Sequence, residues 1–135
     1  MKIVISDAKT GKTFQTELEK GKESALAGLK IGDSFDGGVA GAAGYKLKIM
    51  GGSDKDGFPM RGDVPGARRL EVLLSDSPGF RSRKSGERRR KKVRGNAVSE
   101  FIAQLNTLVA EHGEKKLEEL FPPKEKKEKG EKGKA

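Results

Sequence analysis

Cysteine and tryptophan are both absent from the 135 residues. Disulfides, thiol catalysis and thiolate metal sites are thereby excluded. A single histidine, His112, rules out a multi-histidine zinc centre. Long apolar runs are missing too, since none approaches the ~20 residues that a membrane helix needs. The opening MKIVISDAKTGK lacks the apolar stretch of a signal peptide. The expectation is therefore a protein that stays in the compartment where it is made. Apolar residues reach only 33%, against a usual ~45–50%. That is a thin supply for a core, and the length fits one domain.

Charge is what the chain has in excess. It carries 29 Lys and Arg against 20 Asp and Glu, a formal net charge of +9. Residues 1–57 hold 9 basic and 8 acidic side chains, residues 58–95 hold 12 and 4, and residues 96–135 hold 8 and 8. The middle third thus supplies +8 of the total. Within it, FRSRKSGERRRKKVRG contains Arg81, Arg83, Lys84, Arg88, Arg89, Arg90, Lys91, Lys92 and Arg94, opposed only by Glu87. Such a block repels itself and needs an anionic partner or open solvent. Arginine forks match phosphate oxygens, and consecutive cations suit a closely charged nucleic-acid backbone. No apolar face accompanies the cluster, which argues against a membrane surface. Phe80 at its edge is placed to stack on a base or, as single phenylalanines more often do, to join the core.

The first eighty residues read as short strands punctuated by glycine. Residues 2–6 and 12–18 form a hairpin about a turn at 7–11, with Phe14, Thr16 and Leu18 on one side. Residues 23–29 make one or two helical turns with Ala25, Leu26 and Leu29 on one face. A short strand follows at 34–39. Tyr45, Leu47 and Ile49 then point inward while Lys46 and Lys48 point outward. Leu70, Val72 and Leu74 repeat that pattern after the Pro65-Gly66 turn. Short strands at this spacing predict a small barrel or sandwich. The next segment is ambiguous: Val98, Phe101, Ile102, Leu105, Leu108 and Val109 fit a helical face, while Leu105, Thr107 and Val109 alternate as a strand does. Residues 116–121 form a short amphipathic helix stopped by Pro122-Pro123. The tail, KEKKEKGEKGKA, offers no apolar side chain but its last alanine and is expected to be disordered.

Three motifs compete with blander readings. SDAKTGKT nearly matches a phosphate-binding loop, but Ser6 stands where the first glycine belongs and an alternating strand follows where a helix is required. It reads as a hairpin turn. GGSDKDGFPM shares Asp54, Asp56 and Gly57 with a calcium loop, yet Gly52 takes the first ligand position and Asp63 the twelfth. Its glycines and Pro59 instead shape a loop that either turns backbone N–H groups toward phosphate or joins two strands. His112, beside Gly113 in polar surroundings, reads as an exposed side chain without a catalytic constellation.

With GGSDKDGFPM followed by GERRRKKVRG, the chain resembles the small-subunit ribosomal protein six family of the archaeal and eukaryotic type, in its short archaeal form. The family signature is an aliphatic residue, a variable one, Gly-Gly-x-Asp, and Gly-x-Pro-Met. Ile49, Gly51, Gly52, Asp54, Gly57, Pro59 and Met60 occupy those positions. LEVLLS, GFRSRKSGERRRKKVRGN and HGEKKLEEL extend the likeness over nearly all of residues 1–121. The chain ends in PPKEKKEKGEKGKA and lacks the long basic, phosphorylated extension of eukaryotic members, so no kinase regulation carries over.

The resemblance implies a mainly β fold, a six-stranded β-barrel similar to translation-factor barrels, with short helical turns, a basic arm and a disordered C-terminal tail. Residues 1–121 would form one domain including the arm at 81–95, and 122–135 the tail. The stretch 104–111 would be a barrel strand, against its local helical period. The implied role is a structural constituent of the small ribosomal subunit in the cytoplasm. It would bind ribosomal RNA through the nine basic residues from Arg81 to Arg94, beside neighbouring ribosomal proteins. No catalytic residue, metal, cofactor, membrane or homo-oligomer is expected. Two rival functions are a free RNA-binding or translation-factor-like protein that visits ribosomes, and a small enzyme using Asp54 and Asp56 with a divalent ion. Self-repulsion further predicts that 81–95 is mobile until RNA orders it.

Overall fold

The computed structural model describes residues 1–121. The expected disorder of 122–135 lies outside the described residues. Seven strands and two short α-helices follow one another as β1 (Lys2–Ser6), β2 (Thr13–Glu17), α1 (Glu23–Leu26), β3 (Ser34–Asp36), β4 (Lys46–Asp54), β5 (Arg69–Leu74), β6 (Arg89–Arg94), β7 (Ile102–Glu111) and α2 (Leu117–Leu120). Five strands form a mixed sheet in the order β2-β1-β7-β4-β3, and β5 pairs with β6 in a separate ribbon. The mainly β class is as the sequence predicts. Among the described residues no continuous ladder joins the two sheets into a ring.

Alternation decides the main sheet. Ile3, Ile5, Leu47, Ile49 and Leu105 are fully buried, while Lys46 and Lys48 face outward. β1 and β2 pair antiparallel about the 7–11 turn, where the Lys9 N–H donates to the Asp7 carboxylate at 2.9 Å. The ambiguous segment is a strand: β7 runs parallel to β1 and antiparallel to β4. Thr107, which a helical face leaves out, is buried and donates its hydroxyl to the Val4 carbonyl at 2.9 Å. Phe101, which a helical face buries, is 52% exposed. Pairing on both edges overrides the local period, because a central strand satisfies its backbone on two sides.

Two shorter predictions need correction. The helix at 23–29 ends with Leu26, and Ala25 is exposed. The strand at 34–39 ends with Asp36, whose carboxylate accepts the Gly38 N–H at 3.0 Å and opens a 3-10 turn over Gly37–Ala40. A larger hydrophobic cluster fills the main sheet, and a smaller one, Val64, Leu74, Phe80 and Val93, belongs to the ribbon. The two meet at a polar joint.

Candidate nucleic-acid interface

The basic block divides in two. Residues 81–88 form turns, whereas Arg89–Arg94 is strand β6, paired residue for residue with β5. The prediction that all of 81–95 awaits RNA for its order therefore fails for β6. β5 supplies what the local argument overlooked, namely a ladder and an apolar face. Leu70, Val72 and Leu74 share that face with Val93, which is fully buried. The long stems of Arg89 and Lys91 lie on the same face, their heads in solvent. The Lys91 ammonium stands 5.9 Å from the Phe80 ring centre. Phe80 itself is buried, the blander of its two readings.

Of the nine basic residues, Arg81, Arg83, Lys84, Arg88, Arg89, Arg90, Lys91 and Lys92 are exposed. A cleft of about 300 Å³ between the turn and the ribbon is lined by Phe80, Arg81, Arg83, Glu87, Arg89 and Lys91. Glu87 accepts the Arg83 backbone N–H at 3.1 Å and pairs with Arg89 Nε at 3.0 Å. Such a cleft offers several cations to an anion at one carboxylate's cost in repulsion. Arg94 differs. It is 7% exposed, donating Nε to Asp54 Oδ2 at 3.0 Å and Nη1 to the Ala67 carbonyl at 2.9 Å. Its guanidinium belongs to the interior.

The glycine-rich motif lies at the joint rather than in a ligand loop. Gly51 and Gly52 are part of β4, after a register shift that follows Ile49. A Cβ on Gly52 would stand 2.4 Å from the Gln104 carbonyl oxygen and 3.1 Å from the Met60 sulfur, so the strands pack only with glycine there. Gly57, at φ +86°, closes the turn with its N–H on the Asp54 carbonyl. Pro59 accepts the Arg94 N–H at 2.8 Å, and buried Met60 bridges to Arg94 in parallel. The N–H groups of Asp56 and Phe58 both donate to Asp54 Oδ1 at 2.9 Å. These N–H groups point at an internal carboxylate, so the motif joins strands and does not present them to phosphate.

Asp54 is 3% exposed. Burial by itself raises its pKa; the Phe58 N–H, the Arg94 and Arg69 guanidinium groups and the Asp56 N–H more than offset this and hold it below the usual carboxylate range. The enzyme reading asks Asp54 and Asp56 to hold a divalent cation. Two guanidinium groups already occupy Asp54 Oδ2, and Arg69 takes Asp56 Oδ2 at 2.6 Å. A dication there meets like charge on both sides. His112 is at the surface, yet it is engaged: Nε2 lies 3.1 Å from the Asp7 carboxylate and the ring meets Tyr45 edge-on.

Sequence reading overlooked Arg69 and Gly95. Arg69 donates to Asp54 and Asp56 and lies 4.5 Å over the Phe58 ring. Its only sequence signal is a cation at the head of an alternating strand, which does not set it apart from Arg68. Gly95 carries the chain out of β6 against the 65–66 turn, and a glycine directly after a cationic run was the available cue.

A family model described as ribosomal protein S6e matches residues 1–122. The small ribosomal subunit protein eS6 of Methanothermobacter thermautotrophicus is 55% identical over 120 residues, which is 89% of this chain and 94% of that one. The protein of the same name from Methanocaldococcus jannaschii is 50% identical over 120 residues, 89% of each chain. The one from Archaeoglobus fulgidus is 47% identical over 125 residues, 92% of this chain and 97% of its own. The chain therefore belongs to the ribosomal protein S6e family.

Proposed function

We propose that the chain is a structural constituent of the small ribosomal subunit, acting in translation within the cytoplasmic ribosome. It binds ribosomal RNA through Arg81, Arg83, Lys84, Arg88, Arg89, Arg90, Lys91 and Lys92, with other small-subunit proteins as neighbours. Family membership over residues 1–122 supports the ribosomal role. The observation that carries the RNA surface is the exposure of those eight cations on one turn and ribbon, opposed there by Glu87 and by Glu71, the register partner of Lys92. Phosphate contacts by such residues fix register on the nucleic acid without reading its sequence.

Residues 1–121 act in this reading as one domain. Six strands of five residues or more, together with the bridge Met60–Arg94 from β6 to the loop after β4 and the bridge Lys30–Ala97 between two loops, support a barrel-like arrangement. Arg94 does not belong to the RNA surface but supports it from below.

Gradient sedimentation of ribosomal subunits in high salt tests the proposal. A structural constituent stays with the small subunit through the wash. Release of the whole population at moderate salt would favour a transient, translation-factor-like visitor.

A further inference from the structure

β5 and β6 bring Arg69 and Arg94 together as register partners, so both side chains leave the ribbon on the same face. Both guanidinium groups reach one atom, Asp54 Oδ2, at 3.0 Å each. The other oxygen accepts the Asp56 and Phe58 N–H groups, so the carboxylate is fully used. Each arginine also packs over an aromatic ring, Arg69 on Phe58 at 4.5 Å and Arg94 on Phe101 at 5.4 Å. Asp54 ends β4 of the main sheet, while its two cations begin β5 and end β6. The apolar clusters of sheet and ribbon are separate. This ionic joint therefore works where hydrophobic packing does not continue across.

We propose that Asp54 is a positioning residue: it clamps the basic ribbon to the main sheet through Arg69 and Arg94 and so presents the eight exposed cations in one orientation. Its effect on RNA rests on the function proposed above, whereas the clamp itself does not. Burial of Arg94 gives the clamp its force. A guanidinium that is 7% exposed needs a countercharge; without one it moves toward water and takes the end of β6 with it. The Arg94 backbone is tethered by its N–H to the Pro59 carbonyl and by its carbonyl to the Arg61 N–H, and the Asp54 carboxylate adds a contact to each strand of the ribbon that fixes an angle.

The absence of cysteine allows a clean measurement. Met50 on β4 and Leu73 on β5 are 53% and 57% exposed. Spin labels on M50C and L73C report the distance between sheet and ribbon by pulsed dipolar spectroscopy. One narrow distance is expected in the parent and a broadened or split distribution in Asp54→Asn. An unchanged distribution in folded D54N overturns the clamp. Should D54N not fold, Arg69→Gln carries the same test, because its loss strands no buried cation; broadening is again expected, and no change overturns the proposal.

Binding to purified small-subunit ribosomal RNA supplies the functional arm. If loss of the clamp leaves a tenth of molecules correctly posed, affinity falls about tenfold. In both D54N and Arg94→Gln the dependence of log K on log salt keeps its slope, since no phosphate contact is removed. A slope reduced by about 0.7–0.9 in R94Q would make Arg94 a direct phosphate contact and overturn its positioning role. If the parent shows no salt-dependent RNA binding while D54N still broadens the distances, the RNA reading fails and the clamp stands.

Discussion

Gly95 backs onto Gly66 so closely that a Cβ on Gly95 would stand 2.0 Å from the Gly66 carbonyl oxygen. The atom in the way is backbone, and the Ala97 N–H holds that carbonyl at 3.0 Å. The contact seats the exit of β6 on the turn before β5, at the same end of the ribbon as the Asp54 joint.

Gly95→Ala is accordingly expected to destabilise the protein by at least about 3 kcal/mol, the upper range for overpacking. Thermal unfolding should show this as a fall in Tm of roughly 10 °C. A Tm within a degree or two of the parent would mean that the turn moves away freely. Gly21→Ala, with nothing near its Cβ, is the control.

Acid should expose the Asp54 clamp. Its carboxylate is held below the ordinary range in the folded protein, whereas the unfolded chain binds a proton near the reference value of about 3.9. The stabilisation is therefore complete above that value and is lost as pH falls through the lowered native pKa. Urea unfolding between about pH 5 and pH 2 should lose stability less steeply in Asp54→Asn than in the parent. Asp63, lowered by its hydrogen bond with Arg61, titrates alike in both proteins. Parallel pH profiles would show that Asp54 carries no such linkage.

Salt should report how many cations meet RNA. With ~6 phosphate contacts, log K falls with log salt at a slope of about −4 to −5. Replacing Arg88, Arg89 and Arg90 with alanine should flatten the slope by roughly 2–3 units. An unaltered slope would move the RNA surface elsewhere, with the outward Lys46 and Lys48 the first residues to test.

Amide exchange separates the two halves of the basic block. Ladder amides of β6 should be protected in the free protein, since β5 pairs with every residue from Arg89 to Arg94. Those of 81–88, outside any strand, should exchange quickly until RNA is added. Fast exchange throughout β6 in the free protein would restore the idea of an arm folded only by its partner.

Core truncations test the register of β7. Leu105→Ala removes a fully buried side chain and should cost about 2–5 kcal/mol. Phe101→Ala, at a half-exposed ring, should cost about 1 kcal/mol or less, mostly its contact with Arg94. Equal costs at the two positions would suit a helical face better than the observed strand.

Much of this architecture was legible in the residues themselves. Tyr45, Leu47 and Ile49 against Lys46 and Lys48 declared a half-buried strand, because a period of two has no other simple reading. The hairpin of β1 and β2, the inward face of β5 and the charge of the middle third were equally local properties. The signature from Ile49 to Met60 marks the family independently of the fold. What lay beyond the sequence were matters of partnership. Residues 102–111 carry a helical period and become a strand because β1 and β4 offer backbone partners from distant parts of the chain. Arg94 looks like Arg88–Lys92 in the sequence, yet it alone of the nine is buried. Its neighbours need only solvent, whereas its own place depends on a carboxylate forty residues earlier and a register partner in β5. Local pattern assigns a side chain to one face of a strand; only the tertiary structure decides whether that face meets water, RNA or a buried countercharge.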